Sequence, residues 1–335
     1  MGILTFFSSI QRTKWLLDAV SQKKNSINNN SKISHLFLDF NSIIHDVEHM
    51  YIKSLNDKLY KSYLMTKNIL KSKQNIINEE LDKLDIKPSN SENDTLSQLM
   101  IYQVGIILND IIKNTFIKPD DVETIYIAID GVPSKGKMIE QIHRKYSGQL
   151  QKEMNNHILE KEKSNLVDIK INKKSFNKYI YEKNKFSWIK GNIQPGAKFL
   201  FNLDKLLHNK EFINKIVLKD FTLDEPYKKI IISGYTEIGE GEIKLLNLIR
   251  HYLETNKITN KQRIAIWSPD ADVILLSFLI PLNKIKEILL FRFHKQWKTP
   301  KKNSRHSYKY YVISIKKLKD LFFSKLNDLN KQLYK

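Results

Sequence analysis

The chain reads as an α/β protein whose central sheet is mainly parallel and covered by helices on both faces. Three observations support this. Short apolar runs rich in β-branched residues recur at Ile33–Asp39, Thr124–Asp130, Lys229–Gly234, Arg263–Ser268, Ile288–Arg292 and Tyr310–Ile315. Their hydrophobicity is continuous rather than alternating, which marks strands buried on both faces. Segments with helical spacing lie between them, and strand–helix alternation of this kind builds a parallel sheet with crossover helices.

The elements follow in order. Residues 20–32 (VSQKKNSINNNSK) read as a surface loop ahead of the first strand. Residues 46–95 are polar and rich in Lys, Asn and Glu, and read as a helical insertion with a loop near Lys87–Asn93. Ser97–Phe116 has helical spacing and leads to the second strand. After Asp130, the turn Gly131-Val132-Pro133-Ser134-Lys135-Gly136 opens a helix with Ser134 as N-cap. Residues 151–190 carry many charges with weak periodicity and read as a charged, partly mobile segment. Pro195–Leu207 is helical by spacing, as is Gly239–Leu253, where Leu245, Leu248, Ile249 and Tyr252 share one face. No internal repeat or interdomain linker interrupts the series, so the whole chain 1–335 reads as one domain.

Composition narrows the function classes. The 335 residues carry 56 Lys+Arg against 36 Asp+Glu, a formal charge of +20, with 41% hydrophobic residues. That balance builds a core and points to a polyanionic partner, most simply nucleic acid. Abundant Lys, Asn and Ile also follow from A/T-rich codons, so charge alone does not decide. The absence of cysteine excludes disulfide scaffolds, thiolate metal sites and Cys nucleophiles. Apolar runs such as Val273–Leu282 fall short of the ~18–20 residues of a membrane span. The N-terminus lacks a secretory pattern, and Phe6 stands where N-myristoylation wants Ser or Thr. The expectation is an intracellular, soluble protein without a membrane partner, in the cytoplasm rather than the nucleus.

The placement of the acids is the informative feature. Asp39 and Asp130 close the first two strands, Asp270 and Asp272 follow the strand ending at Ser268, and Glu240 and Glu242 follow the strand ending at Gly234. In a parallel sheet these ends open onto one edge, where open α/β folds bind their ligands. Singly, such acids are turn formers that end strands. Jointly they would repel one another unless a cation held them, and all-oxygen ligation suits Mg²⁺ or Mn²⁺, as one or two ions. Two such ions ~3.5–4 Å apart can promote in-line hydrolysis of a phosphodiester.

Directly beyond Asp130, the residues Lys137, Gln141, Arg144 and Lys145 sit at i, i+4, i+7 and i+8 of a helix and share one face. A cationic face at a helix N-terminus favours phosphate, although a solvated surface face has the same pattern. Asn41 and His45 are one turn apart on the helix leaving the first strand, and His45 is suited to stacking on a base. No P-loop, GxGxxG or Ser–His–Asp order is present, which argues against NTP hydrolysis, dinucleotide binding and acyl transfer.

Several blocks resemble the XRN family of 5′→3′ exoribonucleases, in family order and over nearly the whole chain. They are MGILTFF at the start, LFLDFNSIIHD at 36–46, IAIDGVPSKGKMIEQIHRKY at 127–146, IQPGAKF at 193–199, SGYTEIGEGEIKLLNLIRH at 233–251 and IWSPDADVILLSF at 266–278. The resemblance implies a PIN-like, flap-nuclease-like Rossmannoid core acting as an exoribonuclease on single-stranded RNA with a 5′-monophosphate. It implies that Asp39, Asp130, Glu240, Glu242, Asp270 and Asp272 hold Mg²⁺. It further implies that Lys137, Gln141, Arg144 and Lys145 bind the terminal phosphate, and that His45 stacks on the first base. The family's DAD usually follows a small or apolar residue, whereas here it follows Pro269. The family block with a further metal-site Asp, and the second half of the nuclease module, are not visible before Lys335. This leads to the expectation of a fragment, a reduced form, or a partner chain that supplies the rest. A flap-type DNA nuclease and an RNA-binding protein with impaired catalysis are the alternative readings.

Overall fold

The computed structural model describes residues 20–21, 33–116, 121–168, 173–188, 190–221, 229–293 and 310–333. The strands are β1 (Val20–Ser21), β2 (Ile33–Asp39), β3 (Thr124–Ala128), β4 (Ile230–Ser233), β5 (Arg263–Trp267), β6 (Glu287–Phe293) and β7 (Tyr310–Ser314). They form one sheet in the order β1-β7-β6-β5-β2-β3-β4. Neighbours from β6 to β4 pair in parallel, whereas β7 is antiparallel to β6 and β1 is antiparallel to β7. The chain leaves β2 toward β3 and β4, then returns to place β5 on the other side of β2. The order therefore reverses between β2 and β5, the position at whose C-terminal strand ends open α/β sheets bind their ligands.

Both faces of the central strands β2, β3 and β5 are buried, which explains their continuous apolar runs, while the edge strand β4 leaves Ile231 exposed. In β2, Leu36 and Leu38 face one core and Phe37 faces the other. The first core is completed by α1 (Phe40–Thr66), α2 (Ile69–Leu84), α3 (Glu92–Thr115) and α6 (Lys198–Leu207), through residues such as Ile44, Ile77, Leu99 and Leu203. The second is completed by α7 (Gly241–Glu254), α8 (Asp272–Ser277) and α9 (Ile315–Leu333), through Leu245, Ile249, Val273 and Leu318. Trp267 links the layers: its indole stacks on Phe291 at 5.1 Å and donates to the Thr115 hydroxyl at 2.7 Å.

Several elements differ from expectation. Helix α3 starts at Glu92 rather than Ser97, because Ser91 caps it by accepting from Asp94 N at 3.1 Å. That polar first turn adds nothing to an apolar stripe. At 24 residues, α3 is long and apolar enough to cross a membrane, but 67% of its apolar window lies buried inside this protein. The charged segment 151–190 is helical over much of its described length, in α4 (Lys135–Asp168) and α5 (Lys173–Asn184). Its periodicity is weak because apolar residues of the segment in α4, Met154 and Ile158, are exposed rather than turned to a core. The segment read as a loop at its start contains β1, and the remainder of 22–32 lies outside the described residues.

Candidate metal centre

The parallel strands deliver the acids to one edge. Asp39 ends β2 and precedes α1, Asp130 lies two residues past Ala128 of β3, and Asp270 follows β5. Glu240 and Glu242 bracket the start of α7, and Asp272 starts α8. Among the described residues, Asp39, Glu242 and Asp270 form a group whose carboxylate oxygens lie within 4.8 Å of one another. Asp130, Glu240 and Asp272 stand outside that closest triad.

Hydroxyls and backbone amides hold the acids in place. Ser268 Oγ donates to Asp39 Oδ2 at 2.7 Å and accepts from Asp270 N at 3.1 Å. Ser42 Oγ donates to Asp270 Oδ2 at 3.0 Å. Gly241 N donates to Asp130 Oδ1 at 2.6 Å, and Asp130 N donates to Asn41 Oδ1 at 3.1 Å. Gly241 is needed for close approach. A Cβ there would lie 3.0 Å from Ala128 O and 3.2 Å from both Asp130 Oδ1 and Asp39 Oδ1.

The electrostatics favour a cation. Burial pushes the Asp39 carboxyl up to about 8; the Ser268 hydrogen bond opposes this, while Asp130 and Asp270 add to it. Burial, followed by Glu240, Asp270 and Asp130, raises Glu242 to about 7. Asp130 is raised by burial against the opposing Gly241 N–H. Without a cation these groups hold protons at a pH where free carboxylates do not. A hard divalent ion relieves both the desolvation and the mutual repulsion. The all-oxygen donor set, buried at Asp39 and exposed at Asp270, fits Mg²⁺ or Mn²⁺.

The cationic face meets the acids through Lys137, whose Nζ lies 3.2 Å from Glu240 Oε2. Ser134 caps this helix weakly, accepting from Lys137 N at 3.4 Å. Gln141 is half-buried one turn on, while Arg144 and Lys145 belong to α4 with side chains outside the described residues. Asn41 and His45 take different positions despite their shared spacing. Asn41 is buried and engaged with the Asp130 backbone, while His45 is exposed. Sequence reasoning missed Ser42, Ser268, Gly241 and Arg292. Arg292 is buried on β6 near Asp270 and Asp46; burial lowers its guanidinium to about 10, and those two acids oppose the shift.

One family model and several curated relatives match the chain. A family model described as the XRN 5′-3′ exonuclease N-terminus matches residues 74–292, well over half of the chain. The 5′-3′ exoribonuclease 2 of Candida glabrata is 26% identical over 253 residues, which cover 74% of this chain and 19% of that protein. The 5′-3′ exoribonuclease 1 of Saccharomyces cerevisiae is 31% identical over 160 residues, 48% of this chain and 9% of the yeast protein. An uncharacterized mimivirus protein, R527 of Acanthamoeba polyphaga mimivirus, is 32% identical over 163 residues, 43% of this chain and 100% of its own length. The match thus spans at most about a fifth of the length of these two exoribonucleases, 19% and 9%.

Proposed function

This chain belongs to the XRN 5′-3′ exonuclease family, and from that premise we propose that it degrades 5′-monophosphorylated single-stranded RNA from the 5′ end to mononucleotides, using Mg²⁺ or Mn²⁺. The observation that carries this reading is the convergence of Asp39, Glu242 and Asp270 within 4.8 Å, beside an acid, Glu240, that is ion-paired to Lys137. Asp39, Glu242 and Asp270 would hold one ion, and Asp130, Glu240 and Asp272 would serve a second. The cation supplies Lewis-acid activation of water and neutralises charge on the phosphate being cleaved.

The chain's own groups do the rest. Lys137, Gln141, Arg144 and Lys145 receive the terminal phosphate on one helix face, which sets the distance from the RNA end to the acids. Lys137 bridges the two parts, because it already contacts Glu240. His45, exposed on α1, stacks on the terminal base. Ser268 and Ser42 keep the carboxylates oriented as the cation is taken up.

The end preference provides the test. Replacing Lys137 and Arg144 together with Ala should abolish the selection of 5′-phosphate over 5′-hydroxyl RNA while Mg²⁺-dependent hydrolysis remains. Competition between the two labelled RNAs, with a flap DNA in parallel, measures it. An unchanged preference for the phosphate rejects the helix face as its receptor, and faster cleavage of the flap DNA rejects RNA as the substrate.

A further inference from the structure

The β3–β4 ladder comes apart beside the acids. Its last rung runs from Ile129 N to Ser233 O at 2.9 Å, and the two backbones rejoin where Gly131 N donates to Gly239 O at 2.9 Å and Gly239 N to Val132 O at 3.2 Å. In the opening between, Lys244 of α7 inserts its ammonium group. Its Nζ donates to Ile129 O at 2.8 Å and to Gly234 O at 2.9 Å, and the residue is 8% exposed. A buried ammonium is costly unless its donors are used, so both bonds must persist for the group to stay there.

Lys244 therefore joins three ligand-bearing pieces. Ile129 immediately precedes Asp130, Gly234 begins the loop that carries Glu240, and Lys244 lies on the helix that carries Glu242. One turn earlier on that helix, Gly241 N holds the Asp130 carboxylate itself. We propose that Lys244 is a positioning residue for the metal centre, which fixes the distance of Glu240 and Glu242 from Asp130 by tying α7 to the ends of β3 and β4. This inference rests on the metal-binding reading above.

Its sign distinguishes it from simpler roles. As a mere positive charge, Lys244 would repel a cation, and its removal would tighten binding. As part of the fold only, it would affect stability and leave affinity alone. As a positioning residue, its loss weakens binding, by about 10- to 100-fold on the scale of outer-shell substitutions at metal sites.

The test is Mn²⁺ binding to the full chain, followed by titration calorimetry, for Lys244→Met, Lys244→Gln and Leu245→Ala. Leu245 is a fully buried core residue of the same helix, so its truncation loosens α7 without touching the carbonyls. The expected result is weaker binding for Lys244→Met, an intermediate loss for Lys244→Gln, whose shorter amide still carries N–H donors, and near wild-type affinity for Leu245→Ala. Unchanged or tighter binding in Lys244→Met overturns the assignment. So does an equal loss in Leu245→Ala, or failure of both Lys244 variants to fold. A wild-type chain that binds no Mn²⁺, or an Asp39→Asn variant that binds it equally well, overturns the metal reading itself, and the inference with it.

Discussion

Asp39→Asn should stabilise the metal-free protein while removing its affinity for a divalent cation. Asp39 is 3% exposed and lies close to Asp130 and Asp270, and its carboxyl is pushed up to about 8 from an ordinary value near 3.8. The folded state thus holds a proton that the unfolded state releases at lower pH. Stability from this group is full below about pH 4 and is lost as pH rises toward 8, because the folded chain binds more protons across that window. The loss at the alkaline end is on the order of a few kcal/mol. Asparagine keeps an oxygen to accept from Ser268 and carries no charge, so it escapes that slope. Urea melts in chelator at pH 5 and pH 8 provide the check. The wild type should weaken toward pH 8, and the variant should gain most there. A wild type that is more stable at pH 8 than at pH 5, with the variant matching it, would show that Asp39 is not held in this state.

The second large effect belongs to Gly241→Ala. The added methyl would sit 3.0 Å from Ala128 O and 3.2 Å from the Asp39 and Asp130 carboxylate oxygens. None of these is the loose end of a long side chain, so helix and acids must separate by some tenths of an ångström. Alanine is the better helix former by up to about 1 kcal/mol, which offsets part of the crowding cost. Melting temperature should move little. Turnover should fall by about tenfold or more, because small misplacements at a reacting centre are expensive. Parallel measurement of kcat and Tm separates the two. Activity within about twofold of wild type would refute the close packing of α7 on the acids as a requirement for catalysis.

What was legible in the sequence had a local signature. The strand runs at Ile33–Asp39 and Arg263–Trp267 are continuous because both sheet faces are covered, and the acids that end them reach one edge because the strands are parallel. The partners that orient those acids had no such signature. Ser268 meets Asp39 across 229 residues and Ser42 meets Asp270 across 228, so only the closed fold pairs them. Asn41 shows the limit of helical spacing. One turn from His45, it is drawn under the Asp130 backbone at the strand end, while His45 has already emerged from the packed region. The length of α4 was hidden for the opposite reason: its described apolar side chains, such as Ile142 and Met154, are exposed and mark no buried stripe. The antiparallel edge formed by β7 and β1 was equally invisible, since a buried strand reads the same in either direction.

The proposed use of a divalent cation by this acid cluster to remove nucleotides from the 5′ end of RNA can be measured directly. The direct measurement follows a single-stranded RNA that carries a 5′-monophosphate and a 3′-end label, incubated with the full chain and Mg²⁺, with and without EDTA. The expected result is release of unlabelled mononucleotides first, retention of the label on shrinking RNA, and complete arrest by EDTA. Early release of the label, or decay that continues in EDTA, would contradict it.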